Sequence, residues 1–184
     1  MSASLLVAAL RDPAGVVALD AAQWSGLLSA ARAEVMIGTL AHRVAGQPLP
    51  PAVRDLLAAA RRAAQQAQVQ ALWEVEMARR ALAPLGIAPV LLKGSAYAAT
   101  GMTAAEGRQI GDLDILVLRA RLDDAERALR AHGWEWVKDD PYDQSYYRRW
   151  MHELPPLIHA ERDRMIDVHH AILPLTHRIH PDMD

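Results

Sequence analysis

The stretch Val90–Ala120, "VLLKGSAYAATGMTAAEGRQIGDLDILVLRA", decides how this chain is read. It opens with an apolar run that ends in Lys93-Gly94-Ser95, and it closes with a second apolar run that carries Asp112 and Asp114. Side chains of a strand alternate between two faces. On a strand, Asp112 and Asp114 therefore share one face, about 7 Å apart at Cα, while Leu113, Ile115 and Val117 share the other. Two bare carboxylates on one face raise each other's pKa or draw in a cation. Carboxylate oxygens suit Mg²⁺, which binds through one or two carboxylates plus substrate phosphates. An Asp-x-Asp pair at a strand end also occurs as a plain solvated edge. The pair alone leaves both readings open.

Three neighbouring features favour the metal. Gly94-Ser95 follows one strand and precedes a predicted helix; a glycine lets backbone approach a phosphate, and a helix start offers free N–H groups. Lys93 adjoins it, and Arg108 stands just upstream of the aspartates, where it can hold phosphate or brace the loop. A later strand, "MIDVHH", sets Asp167 and His169 on one face and Ile166 and Val168 on the other. A third carboxylate from that strand would complete a metal site and serve as the base for an attacking hydroxyl.

Outward from this region the pattern is helical on one side and mixed on the other. Before it, a short N-terminal helix is expected. Asp20 is a predicted N-cap for a helix that runs to Gly46, "QPLPP" is a connector, and a long helix spans about 52–83 until Pro84 and Gly86 stop it. After it, "ARLDDAERALRAHG" reads as an amphipathic helix and "WEWVK" as a strand, with Trp134 and Trp136 packed under the sheet. "DDPYD" reads as a loop, and "SYYRRWMHEL" and "PPLIHA" as strand or partly strand. "ERDR" is then a turn into the strand "MIDVHHAI". The expected fold class is α+β: a mixed sheet flanked by helices, with residues 1–86 as an N-terminal helical region and 87–184 as the core.

The quoted motifs, "VLLKGSAY…GRQIGDLDILV…ALRAHGW…IDVHH", resemble an uncharacterised bacterial nucleotidyltransferase family of the DNA polymerase β-like superfamily. The resemblance covers about Val90 to Ile172, and the preceding helices have the family's usual place. It implies a polymerase β-like mixed sheet and transfer of NMP from an NTP to an acceptor, with release of pyrophosphate. It implies two Mg²⁺ ions on Asp112, Asp114 and Asp167, and a triphosphate held at Gly94 and Ser95. Lys93, Arg108 and His169 match family positions that would contact the nucleotide. The sequence departs from the family pattern in a longer gap between Ser95 and Asp112, and in His170 where the family usually has an aromatic residue. The acceptor is open: a small molecule, a sugar phosphate, a protein hydroxyl or an RNA end. A different class of reading makes the same fold a non-catalytic or toxin-like binding or regulatory module.

Bulk properties narrow the field without choosing. The chain has 184 residues, 52% of them hydrophobic, a formal net charge of -2 and no cysteine. A sizeable core is expected, and thiolate metal sites and disulfide scaffolds are excluded. No apolar run approaches the roughly 20 residues that a bilayer requires, so no membrane partner and a cytoplasmic location are expected. Near-neutral charge gives no global signal for nucleic acid, and the Tyr-Arg-rich "SYYRRW" is read first as a packed element. The late histidines (His152, His159, His169, His170, His177 and His180) match no regular ligand spacing. His169 is set apart by its place beside Asp167, in an orienting or a nucleotide-contacting role. The close "LPLTHRIHPDMD" has no evident cap and leaves open a continuation beyond Asp184.

Overall fold

The structure is a computed structural model that describes residues 2–179; His180 and the closing residues of "LPLTHRIHPDMD" lie outside the described residues. Among the described residues are seven α-helices and five strands, so the fold is α+β as expected. The chain packs as two compact units. One joins the residues up to Val69 with Thr100–Ile110; the other joins Gln70–Ala99 with the residues from Gly111 onward.

The first unit holds α1 (Ser2–Arg11), α2 (Ala21–Ala33), α3 (Ile37–Arg43) and the start of α4 (Pro51–Leu82). Asp20 caps α2 through a reciprocal pair: its carboxylate accepts from the Gln23 N–H at 2.8 Å, and the Gln23 side chain accepts from the Asp20 N–H at 2.9 Å. The expected single helix to Gly46 is corrected. It stops after Ala33, because Val35 takes a left-handed φ of 55° and the N–H groups of Met36 and Val35 fold back onto the carbonyls of Ala31 and Arg32. That is a Schellman ending, usually built on glycine; a β-branched residue in this place carries no warning in the sequence. Leu6, Trp24, Leu27, Leu40, Val44 and Leu57 form this unit's core. The segment Thr100–Ile110 is pinned to it where the backbones of Gly38 and Gly107 abut, with no room for a Cβ on either. The Gln68 amide donates to the Ala105 carbonyl, and His42 pairs with Glu106 at 2.8 Å.

The second unit is a five-stranded mixed sheet in the order β1-β2-β5-β4-β3. Its strands are β1 (Val90–Leu91), β2 (Asp112–Leu116), β3 (Trp134–Trp136), β4 (Leu157–His159) and β5 (Met165–His169). β2 and β5 run parallel, and the other pairs are antiparallel. Strand alternation divides the central pair: Leu113, Ile115, Val117, Ile166 and Val168 are buried in the core, and Asp112, Asp114, Asp167 and His169 occupy the opposite face. Helix α6 (Leu122–Ala131) buries Leu122, Ala125 and Leu129, spaced as one helical face. The end of α4 adds Ala78, Ala81 and Leu82 to the same core. The predicted long helix and the turn before β5 are present, and Trp134 is buried in the core as expected.

The expected strand through "SYYRRW" is corrected to a helix, α7 (Pro141–Trp150). The turn-like "DDP" is its start signal. The Asp140 carboxylate accepts from the N–H groups of Tyr142 and Asp143, and Pro141 sits at the first helical position, where a missing N–H costs nothing. Arg148 of α7 then reaches Glu126 of α6 at 2.8 Å, and Glu126 also accepts from the Trp136 indole at 2.7 Å.

Candidate active site

The central parallel pair builds the site. Register sets Asp114 opposite Asp167 and Asp112 opposite Met165. Neighbouring strands lie about 4.8 Å apart, so carboxylates on the same face of this pair must crowd. Each of Asp112, Asp114 and Asp167 offers an oxygen within 4.8 Å of the other two. The three acids grade in exposure: Asp112 is exposed, Asp167 is half-buried and Asp114 is buried.

The two covered acids differ in their electrostatics. Burial pushes Asp167 up to about 6, and the negative charges of Glu153, Asp114 and Asp112 push the same way. Burial also acts to raise Asp114, but hydrogen bonds from His169 and Lys93 outweigh it and hold this carboxyl below its usual value. The geometry accounts for the difference. Asp114 Oδ1 lies 3.0 Å from His169 Nε2 and 2.6 Å from Lys93 Nζ. An ionised carboxylate only accepts, so both nitrogens donate. Lys93 is in turn held above its usual value, first by its hydrogen bond to Asp114.

The Lys93-Gly94-Ser95 segment opens α5 (Lys93–Ala99) directly after β1. Lys93 has a left-handed φ of 46°, a conformation that costs a non-glycine residue on the order of 1 kcal/mol or more. Such strain persists where the surroundings over-determine it, and here the Asp114 ion pair holds the side chain. Gly94 and Ser95 are buried, and the Ser95 hydroxyl has no hydrogen-bond partner. Arg108 belongs to the other unit, in the turn after Gly107, where its N–H donates to the Ala105 carbonyl at 3.0 Å.

His169 is almost fully buried. Besides the Asp114 contact, its Nδ1 lies 3.2 Å from Glu153 Oε2. Glu153 pairs with His169 through an isolated antiparallel bridge, just past the end of α7. His152 stands beside it, with Nε2 3.6 Å from the same carboxylate. Sequence reasoning missed Glu153 and His152 as members of this neighbourhood. Reading α7 as a strand gave no reason to bring its end to β5, and the histidine spacing offers no motif. Tyr147 was missed for the same reason; burial raises its phenol, with Glu153, Asp143 and Asp167 adding to the effect.

The arrangement can hold a hard divalent cation on three converging carboxylates, with a lysine ammonium at hand for anionic groups. A family model described as an uncharacterised nucleotidyltransferase matches residues 20–184. No curated protein and no solved structure matches the chain.

Proposed function

The chain belongs to the uncharacterised nucleotidyltransferase family, and from that premise we propose that Asp112, Asp114 and Asp167 form its Mg²⁺-dependent centre, which moves NMP from an NTP to an acceptor hydroxyl and releases pyrophosphate. The observation that carries this reading is the convergence of three carboxylates within 4.8 Å on one face of the β2–β5 pair. The donor set fits Mg²⁺, which takes oxygen ligands and seldom imidazole or thiolate. Bound there, Mg²⁺ would neutralise phosphate charge and acidify the acceptor hydroxyl.

The chain's own groups divide the remaining work. Asp112 and Asp114 would hold the ion, with Asp114 oriented by the His169 N–H. Asp167, on the strand beside Asp114, takes the acceptor proton. A new P–O bond forms from the acceptor oxygen to the α-phosphorus, and the α–β bridging P–O bond breaks. Lys93 and the opening turn of α5 meet the triphosphate, where a cation and the positive end of a helix offset charge. The buried Ser95 hydroxyl, without a partner, is a further donor in that first turn. His169 acts in this scheme by positioning Asp114 rather than by touching the base.

The test is incubation with each of the four α-labelled NTPs, Mg²⁺ and extract fractions as acceptor source. Label appears in an acceptor with wild-type protein and is lost with Asp112→Ala, an exposed residue whose removal leaves the fold intact. Equal labelling by the variant would refute the assignment.

A further inference from the structure

A second group of metal-ligating side chains lies beside the carboxylate triad, and of it only His169 Nε2 takes part in the chemistry above. His152, Glu153 and His169 each offer a ligand atom within 4.8 Å of the others. We propose that His152 Nε2, His169 Nδ1 and the Glu153 carboxylate form a separate cation site for a zinc-like first-row divalent ion.

The geometry fits that ion. Zinc binds imidazole nitrogen and carboxylate oxygen at about 2.0–2.2 Å, which sets the edge between tetrahedral ligands at about 3.4 Å. Glu153 Oε2 lies 3.2 Å from His169 Nδ1 and 3.6 Å from His152 Nε2, on either side of that edge. Two imidazoles and one carboxylate are a known zinc set that keeps a further position open. Mg²⁺ does not compete well for imidazole, so this site and the carboxylate triad sort two kinds of cation.

His169 is placed between the two sites: its Nε2 lies 3.0 Å from Asp114 Oδ1 and its Nδ1 faces Glu153 Oε2 at 3.2 Å. A histidine that donates one nitrogen to a carboxylate and ligates through the other is the usual support of a metal centre. In this arrangement the ion fixes the ring that orients Asp114.

The ligands are pre-set. The His170 N–H donates to the His152 carbonyl at 2.8 Å, and the Leu154 N–H donates to the Val168 carbonyl at 2.9 Å, which lock residues 152–154 against the end of β5. The side chains of His152 and Glu153 are each 20% exposed, so an ion has a way in.

The full chain, stripped with a chelator, is titrated with Zn²⁺ and separately with Co²⁺, whose visible absorption reports four-coordinate binding. The expected result is one Zn²⁺ per chain in the wild type and in Asp112→Asn. His152→Gln and Glu153→Gln each weaken it by roughly tenfold or more. Thermal melts of the metal-free variants check folding. If both ligand variants fail to melt cooperatively, the Co²⁺ spectrum decides: a four-coordinate band shared by wild type and Asp112→Asn upholds the site. No binding, equal binding in folded His152→Gln, or loss in Asp112→Asn would overturn it, leaving a protonated His169 or ordinary occupancy of the triad. The outcome is independent of whether the triad transfers nucleotides.

Discussion

Asp114 and Asp167 are direct partners across the parallel β2–β5 pair, yet their carboxyls are driven in opposite directions. Asp114 accepts from His169 and Lys93 and is held low, whereas Asp167 is lifted to about 6 by burial and by its acidic neighbours. One strand pair thus carries a carboxyl held low beside one held high.

That difference has a stability consequence. A carboxyl whose folded pKa lies above its unfolded value binds protons better in the folded state. Its contribution is present below about 4, the unfolded value, and is lost as pH rises through about 6. Metal-free protein should therefore lose stability between those values. Asp167→Asn should flatten the slope and stabilise the protein at pH 7 by about 1–2 kcal/mol, after allowance for partial solvent screening. Urea melts at pH 4, 5, 6 and 7, with chelator present, measure this. An unchanged slope in the variant would show that Asp167 ionises normally.

A divalent cation on the triad would compete with Lys93 for the same oxygen, since Nζ already lies 2.6 Å from Asp114 Oδ1. An ion pair with one exposed partner is worth up to about 1 kcal/mol. Lys93→Met should accordingly tighten Mn²⁺ binding at the triad by up to about fivefold and still slow nucleotidyl transfer, because phosphate charge goes unopposed. Mn²⁺ titration by electron paramagnetic resonance, alongside label transfer, separates the two effects. Weaker metal binding in the variant would mean that Lys93 supports the site instead of competing for it.

Gly133 closes α6 at φ 96°, and an added Cβ would stand 2.7 Å from His159 Nε2. His159 in turn stacks edge-on against Trp134, with ring centroids 5.0 Å apart. Gly133→Ala should cost about 1–3 kcal/mol through strain and a displaced histidine. Thermal melts check this, and a variant as stable as wild type would mean that the turn relaxes freely.

Much of the second unit could be read from residues alone, because the signals there are local. Alternation in "DLDIL" and "MIDVH" placed Asp112, Asp114, Asp167 and His169 on one face, and the parallel register brings them together. The α6 face and the Gly133 stop follow from spacing and backbone freedom. The misreadings also have local causes. Val35 ends α2 in a left-handed turn that a valine does not advertise. Asp140-Pro141 starts a helix with the same residues that make a turn, so the start of α7 is ambiguous in the sequence. That ambiguity hid Glu153 and His152, whose contacts with His169 depend on where α7 ends. No spacing rule joins His169 to Asp114, 55 residues away; only the strand register does.

The central claim, that three carboxylates bind magnesium and with it a nucleoside triphosphate, is tested most directly by calorimetry. Each NTP is titrated into the protein with and without Mg²⁺, for wild type and for the double variant Asp112→Asn, Asp114→Asn. The expected result is Mg²⁺-dependent binding of at least one NTP by the wild type and none by the double variant. Binding of equal strength in both proteins, or in the absence of any divalent ion, would contradict it.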